Sequence, residues 1–248
     1  MPRYSTLGAL LVGGIVACGP AISMAQDAPS ADLRVRVAQR LARTDAFSAV
    51  SVTAATGIVT LDGRVESLWT KERAVEQALK VDGVQSVVSH LVVPRGESDD
   101  AVRDRAATQI RRYVFYTIFD SVDLSAADGV VRLTGYVNQP YKIHDIGRLV
   151  TKVHGVQGVD NRIEALPASI FDSELRSTLA ARLYNHPLFS TLAFQSQPPL
   201  HIVVRSSRVV LTGVVNSEVQ RRAAEHIVRG TFGVLSVQNQ LRLDSEMR

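Results

Sequence analysis

Six histidines, His90, His144, His154, His186, His201 and His226, are the side chains best suited to bind a metal or pass a proton near neutral pH. None stands at helix spacing from another or from Cys18, the single cysteine, so the chain shows no metal-ligand pattern. Asp99, Asp100 and Asp104 lie beside Arg103 and Arg105, which is the composition of a solvated first helical turn rather than of a catalytic carboxylate pair. Serine nucleophile elbows, phosphate loops and dinucleotide fingerprints are absent, and "GVQG" at 155–158 is too short to be one. Neither catalysis nor a cofactor is expected.

Surface chemistry remains. Six residues after each of three glycines stand Trp69, Tyr141 and Val219, and cations follow them: Lys71 and Arg73, then Lys142, then Arg221 and Arg222, with Arg229 further on. An aromatic ring near a helix start with cations beside it suits a lipid headgroup layer, where each basic residue adds about 1 kcal/mol near an anionic surface. Trp69, Tyr141 and these cations are the candidate lipid contacts; the competing reading is that the ring packs on a sheet and the cations form a wet face. The densest aromatic run, "YVFYTIF" at 113–119, either closes the end of a core or offers Tyr113 or Tyr116 to a partner or membrane interface.

The elements that position these residues are written three times. "VTLDGRV" at 59–65, "VRLTGYV" at 131–137 and "VVLTGVV" at 209–215 place Gly63, Gly135 and Gly213 in one slot, and a second glycine follows each after 20 residues: Gly83, Gly155 and Gly233. The spacing between copies, 72 and then 78 residues, is that of a small self-contained domain rather than a solenoid repeat. Each copy opens on an apolar stripe at four-residue steps (Leu33, Val37, Leu41; Val102, Ala106, Ile110; Leu175, Leu179, Leu183), which predicts a helix with one narrow buried face. Two strand-like runs around a turn come next. The first glycine ends the second strand, Ser67, Asn138 or Asn216 caps a helix, and the second glycine closes that helix in the left-handed conformation before a Val-x-x-Val strand. The fold class is therefore α+β, with three tandem α-β-β-α-β domains, each placing two helices on one face of a three-stranded mixed sheet.

The V-x-L-x-G-x-V phrase, the 20-residue step to G-V-x-x-V and the asparagine that follows (Asn161, Asn239) together resemble the BON domain, named for bacterial osmotically inducible and nodulation proteins. The resemblance covers nearly all of residues 32–243; copy 1 departs from it with Ser89 in the asparagine slot, and copy 3 carries an extra "FQSQPP". It implies a non-enzymatic binding module of the cell envelope, with phospholipid surfaces as ligand, and it implies no catalytic residues.

Composition bounds the rest. Of 248 residues, 46% are hydrophobic and 21% charged, and the net charge of +4 is too mild to argue for nucleic acid. Residues 32–95 carry 9 basic and 7 acidic side chains, 96–166 carry 9 and 10, and 167–248 carry 9 and 6, so copies 1 and 3 hold the positive balance. The apolar stretch at 7–17 after Arg3 is too short to span a bilayer and reads as a secretory signal. Cleavage after Ser23-Met24-Ala25 would give a periplasmic protein; alternatively "IVAC" at 15–18 resembles a lipobox, which would make an outer-membrane lipoprotein through Cys18. Expected boundaries are a signal peptide at 1–25, a linker at 26–31 and domains at 32–95, 96–166 and 167–248, with an anionic phospholipid surface or an envelope protein as partner and no transmembrane span in the mature chain.

Overall fold

The computed structural model describes residues 27–246 apart from 97 and 196; the segment expected as a signal peptide, with Cys18, lies outside the described residues. Copy 1 comprises α1 (Asp27–Leu41), β1 (Val50–Ala55), β2 (Ile58–Arg64), α2 (Leu68–Leu79) and β3 (Ser86–Val92). Copy 2 comprises α3 (Asp99–Arg111), β4 (Ser121–Ala127), β5 (Val130–Val137), α4 (Tyr141–Thr151) and β6 (Gly158–Ala165). Copy 3 comprises α5 (Ile170–Tyr184), a short α6 (Ser190–Ala193), β7 (Leu200–Arg205), β8 (Arg208–Val215), α7 (Glu218–Arg229) and a third strand split into β9 (Ser236–Asn239) and β10 (Arg242–Leu243). In every copy the middle strand pairs antiparallel with the strand before it and parallel with the strand after the helix. The expected α-β-β-α-β unit is thus present three times. Helix α1 starts at Asp27, so the segment expected as a linker is already helical.

Each unit has its own core. Leu33, Val37 and Leu41 of α1 pack with Ala74 and Ala78 of α2 over Val59 and Leu61; the same set recurs around Val131 and Leu133 in copy 2 and around Val209 and Leu211 in copy 3. Alternate strand residues face the other way, which leaves the outer face of the copy 1 sheet largely exposed.

The glycines act differently from the expectation. Gly63, Gly135 and Gly213 do not end their strands; each lies inside one, at φ +134°, +117° and +107°, opposite Val50, Val122 and Leu200. A Cβ there would fall 1.9–2.1 Å from the carbonyl oxygen of Ala49, Ser121 or Pro199 at the start of the facing strand. Close backbone approach, not strand termination, is the reason for glycine. Gly83, Gly155 and Gly233 do have positive φ, but they stand beyond the helix end, in turns closed by the Val84, Val156 and Val234 amides on the Val81, Val153 and Thr231 carbonyls.

Two of the three helix caps also move. Ser67 caps α2 through its hydroxyl and the Thr70 amide, whereas α7 is capped by Ser217 rather than Asn216, and α4 begins after Pro140 without a side-chain cap. Proline pre-sets the helical φ two residues past Asn138, so the helix starts there.

The asparagine slot has a defined job. Asn161 Nδ2 donates to the Ile143 carbonyl at 2.8 Å and its Oδ1 accepts from the Ile163 amide at 3.2 Å; Asn239 does the same with Arg221 and Leu241 at 2.9 and 3.2 Å. Ser89 is too short to tie strand to helix, and its hydroxyl is buried without a partner. Ser89→Asn is expected to stabilise copy 1 by about 1 kcal/mol, read as a higher urea midpoint, because two hydrogen bonds replace one unsatisfied group.

Candidate functional site

The sequence-derived contact residues separate into three environments. On α2 the stripe Trp69, Arg73 and Glu76 faces α4 of copy 2. Arg73 and Lys152 both lie over the Trp69 ring, 5.3 and 5.2 Å from its centroid, so an aromatic from one copy holds cations from two. His144 and Arg148 line the same groove, with Glu72 and Glu76 on the opposite wall. Arg148 is held by Asp145 at 3.1 Å and Arg73 approaches Glu76 at 3.8 Å. Sequence reasoning misses Lys152; the signal that finds it is its place at the end of the helix that faces the tryptophan of the neighbouring copy. Lys71 does not join this group. Residues two apart on a helix point about 200° away from each other, so Lys71 projects from the other flank of α2.

Lys142 overturns its assignment as a lipid contact. It is 2% exposed, with its ammonium 2.6 Å from the carboxylate of Asp120, which is fully buried. Asp120 also accepts from the Thr117 amide and hydroxyl at 2.7 and 2.9 Å and from the Asn138 amide at 2.8 Å. A buried ammonium is tolerated because its partner is fixed and saturated. Tyr141 beside it stays half-exposed, edge-on to Phe115 at 6.1 Å.

On α7 the cations are already paired. Arg221 and Arg222 both engage Glu218, and Arg229 engages Glu225 at 2.8 Å. These are (i, i+3) and (i, i+4) ion pairs along one helix, so the net field of α7 is much weaker than its arginine count suggests. Among the described residues no group of three His, Cys, Asp or Glu side chains could hold a metal ion.

Three repeats with this strand order and buried-face pattern, two of them with the asparagine tie, coincide with matches to the BON domain at residues 29–95, 98–167 and 171–245. The chain belongs to the BON-domain family. No curated protein matches it. Among solved structures, the C-terminal domain of CdsD, a structural protein of the type III secretion system of Chlamydia trachomatis, is 18% identical, covers 86% of this chain and 97% of its own, and superposes with a TM-score of 0.24. The PrgH periplasmic domain is 9% identical over 76% of this chain and 90% of that one, at a TM-score of 0.21.

The BON copies are joined by two different contacts. BON copy 2 sets the loop after α4 on the end of copy 1: His154 Nδ1 lies 3.2 Å from the Glu66 carbonyl, and Gln157 Nε2 donates to the Val93 carbonyl at 3.1 Å. BON copy 3 docks sideways, with the Ile202 amide donating to the Ile118 carbonyl at 2.7 Å and Ser121 and Thr212 hydroxyls 2.9 Å apart. The aromatic run at 113–119 reaches copy 3 through Phe119 and closes the core of copy 2 through its tyrosines. Tyr113 donates to Asp145 at 2.6 Å, the half-buried Tyr116 accepts at its hydroxyl from the Val122 amide at 3.1 Å, and Phe119 packs on the core of copy 3. Burial and the neighbouring carboxylate hold the Tyr113 hydroxyl protonated well above the usual tyrosine range.

Proposed function

We propose that this BON-domain chain is a non-enzymatic binding module of the cell envelope that contacts an anionic phospholipid surface through the groove between α2 and α4. The observation that carries this reading is the Arg73–Trp69–Lys152 cluster, flanked by Arg148 and His144. Trp69 is half-buried between the copies and covered by cations, so its role is to hold two positive groups at a fixed spacing rather than to insert. A headgroup phosphate would be met by preorganised donors, with little ordering cost. No helix among the described residues is long and apolar enough to cross a membrane, so contact would be from one side. With export through the segment at 1–25, the module works in the periplasm, or on the outer membrane if Cys18 is lipidated.

The test is co-sedimentation with vesicles of phosphatidylcholine alone or mixed with phosphatidylglycerol. Arg73→Glu combined with Lys152→Glu is expected to remove most binding to the anionic vesicles, while Arg221→Glu with Arg222→Glu leaves a larger share because Glu218 already offsets one of their two charges. Equal binding by the Arg73/Lys152 variant and the parent overturns the groove assignment.

A further inference from the structure

The end of copy 3 that carries the start of α5, the β7–β8 turn and the loop after α7 differs from its counterparts in the other two copies. The three segments are tied together: the Asp172 carboxylate accepts from the Ser206 and Ser207 amides at 2.8 and 2.9 Å, and the Leu235 amide donates to the Ser207 carbonyl at 2.9 Å. Copy 2 builds the same end, with Asp99 accepting from the Asp128 and Gly129 amides at 2.9 and 2.8 Å. There the end is polar and covered by copy 1: His154 and Gln157 occupy the loop, and Gly155 and Val156 behind them are buried. Copy 1 leaves its end exposed and also keeps it polar, with Asp82 and Gln85 in the same two positions. Copy 3 leaves its end exposed and makes it apolar. Phe232 and Leu235 replace His154 and Gln157, and Phe171 stands where copy 2 has Ser98; their exposures are 99%, 75% and 80%.

Three cations lie on the segments that carry these side chains. Arg182 reaches from α5 to donate to the Gly230 carbonyl at 3.0 Å, two residues before Phe232; Arg229 closes α7; and Arg208 opens β8 opposite Ser236. The carboxylates nearby are Glu225, paired with Arg229, and Asp172, buried and committed to the turn, while Glu174 lies on the side of α5 facing copy 2.

We propose that this end of copy 3 inserts Phe171, Phe232 and Leu235 into the interfacial layer of an anionic phospholipid bilayer, with Arg182, Arg208 and Arg229 at the headgroups. The proposal rests on the membrane reading above and adds a second, apolar point of contact to the charged groove. Projecting rings at the boundary of a cationic surface gain by entering the interface, where hydrocarbon and phosphate lie within one side-chain length. A protein partner would have to cover about 800 Å² for a stable contact, more than three projecting side chains supply. A second copy seated on the same end would bring the arginines against their own counterparts, and like charges oppose such a pair.

The experiment uses the full chain and vesicles of phosphatidylcholine with phosphatidylglycerol. Measured against the parent, whose single tryptophan is Trp69, Phe232→Trp is expected to add emission that shifts to the blue on vesicle addition and is quenched by lipids brominated on the acyl chains. The triple variant Phe171→Ser, Phe232→Ser and Leu235→Ser should weaken partition by about tenfold or more, with unchanged circular dichroism. If the parent binds and the triple variant binds equally well, the insertion is refuted while the membrane reading stands. If the parent binds no anionic vesicles, both fall. A parent that sediments as a dimer and a triple variant that sediments as a monomer would assign the end to self-association instead.

Discussion

Asp120→Ala is expected to destabilise the chain by about 3–5 kcal/mol, because it leaves the Lys142 ammonium buried without its counter-charge. The same change removes the acceptor for the Thr117 amide, the Thr117 hydroxyl and the Asn138 amide, which fix the 113–120 loop and the approach to α4. That loop carries Ile118 and Phe119 into the contact with copy 3, so the loss should loosen the joint between copies as well as the core of copy 2. Urea unfolding checks the magnitude. A cycle with Lys142→Met separates causes: if the buried charge is responsible, adding Lys142→Met to Asp120→Ala restores part of the lost stability. A change within about 0.5 kcal/mol, the range of an ordinary surface substitution, would mean that water reaches Lys142 and that the pair is not buried in solution.

The second large effect is expected at Gly213. An alanine there would combine an unfavourable φ of +107° with a Cβ 1.9 Å from the Pro199 carbonyl oxygen and 3.0 Å from its carbon. One of the two strands must move, and the Val214 amide that bonds to the same Pro199 oxygen at 3.0 Å is lost or stretched. The expected loss is about 3 kcal/mol or more. Gly233→Ala is the control. Its φ is +93°, but its Cβ would meet nothing closer than Leu175 Cδ1 at 3.8 Å, so only the conformational cost of about 1–2 kcal/mol applies. Equal urea midpoints for the two variants would contradict the distinction between strand and turn glycines.

These two sites mark how far the sequence can be read. The repeat, the strand order and the positive φ of the second glycines follow from local pattern, because each copy needs the same hairpin and the same turn. The role of Gly63, Gly135 and Gly213 does not, because a facing carbonyl, supplied by a strand about 14 residues earlier, is invisible in a run of V-x-L-x-G-x-V. Lys142 reads as a wet-face cation because its helix periodicity is compatible with one; its counter-charge, Asp120, sits 22 residues away at the end of a loop that copies 1 and 3 do not share. Lys71 and Arg73 read as neighbours in sequence and diverge on the helix. The groove itself joins two copies, so neither repeat alone contains it. Phe232 and Leu235 are legible as residues, and only the comparison of three exposed or covered ends gives them meaning.

Engagement of anionic phospholipid by preorganised cations at the joint of copies 1 and 2 requires that binding depend on lipid charge and on salt. The most direct measurement is co-sedimentation of the full chain with phosphatidylglycerol-containing and purely zwitterionic vesicles, at physiological and at molar salt, where the screening length falls from about 8 Å to about 3 Å. Binding to the anionic vesicles is expected to drop steeply with salt and to be largely removed by Arg73→Glu with Lys152→Glu. Binding that is equal on both lipids, or absent from both at physiological salt, would contradict it.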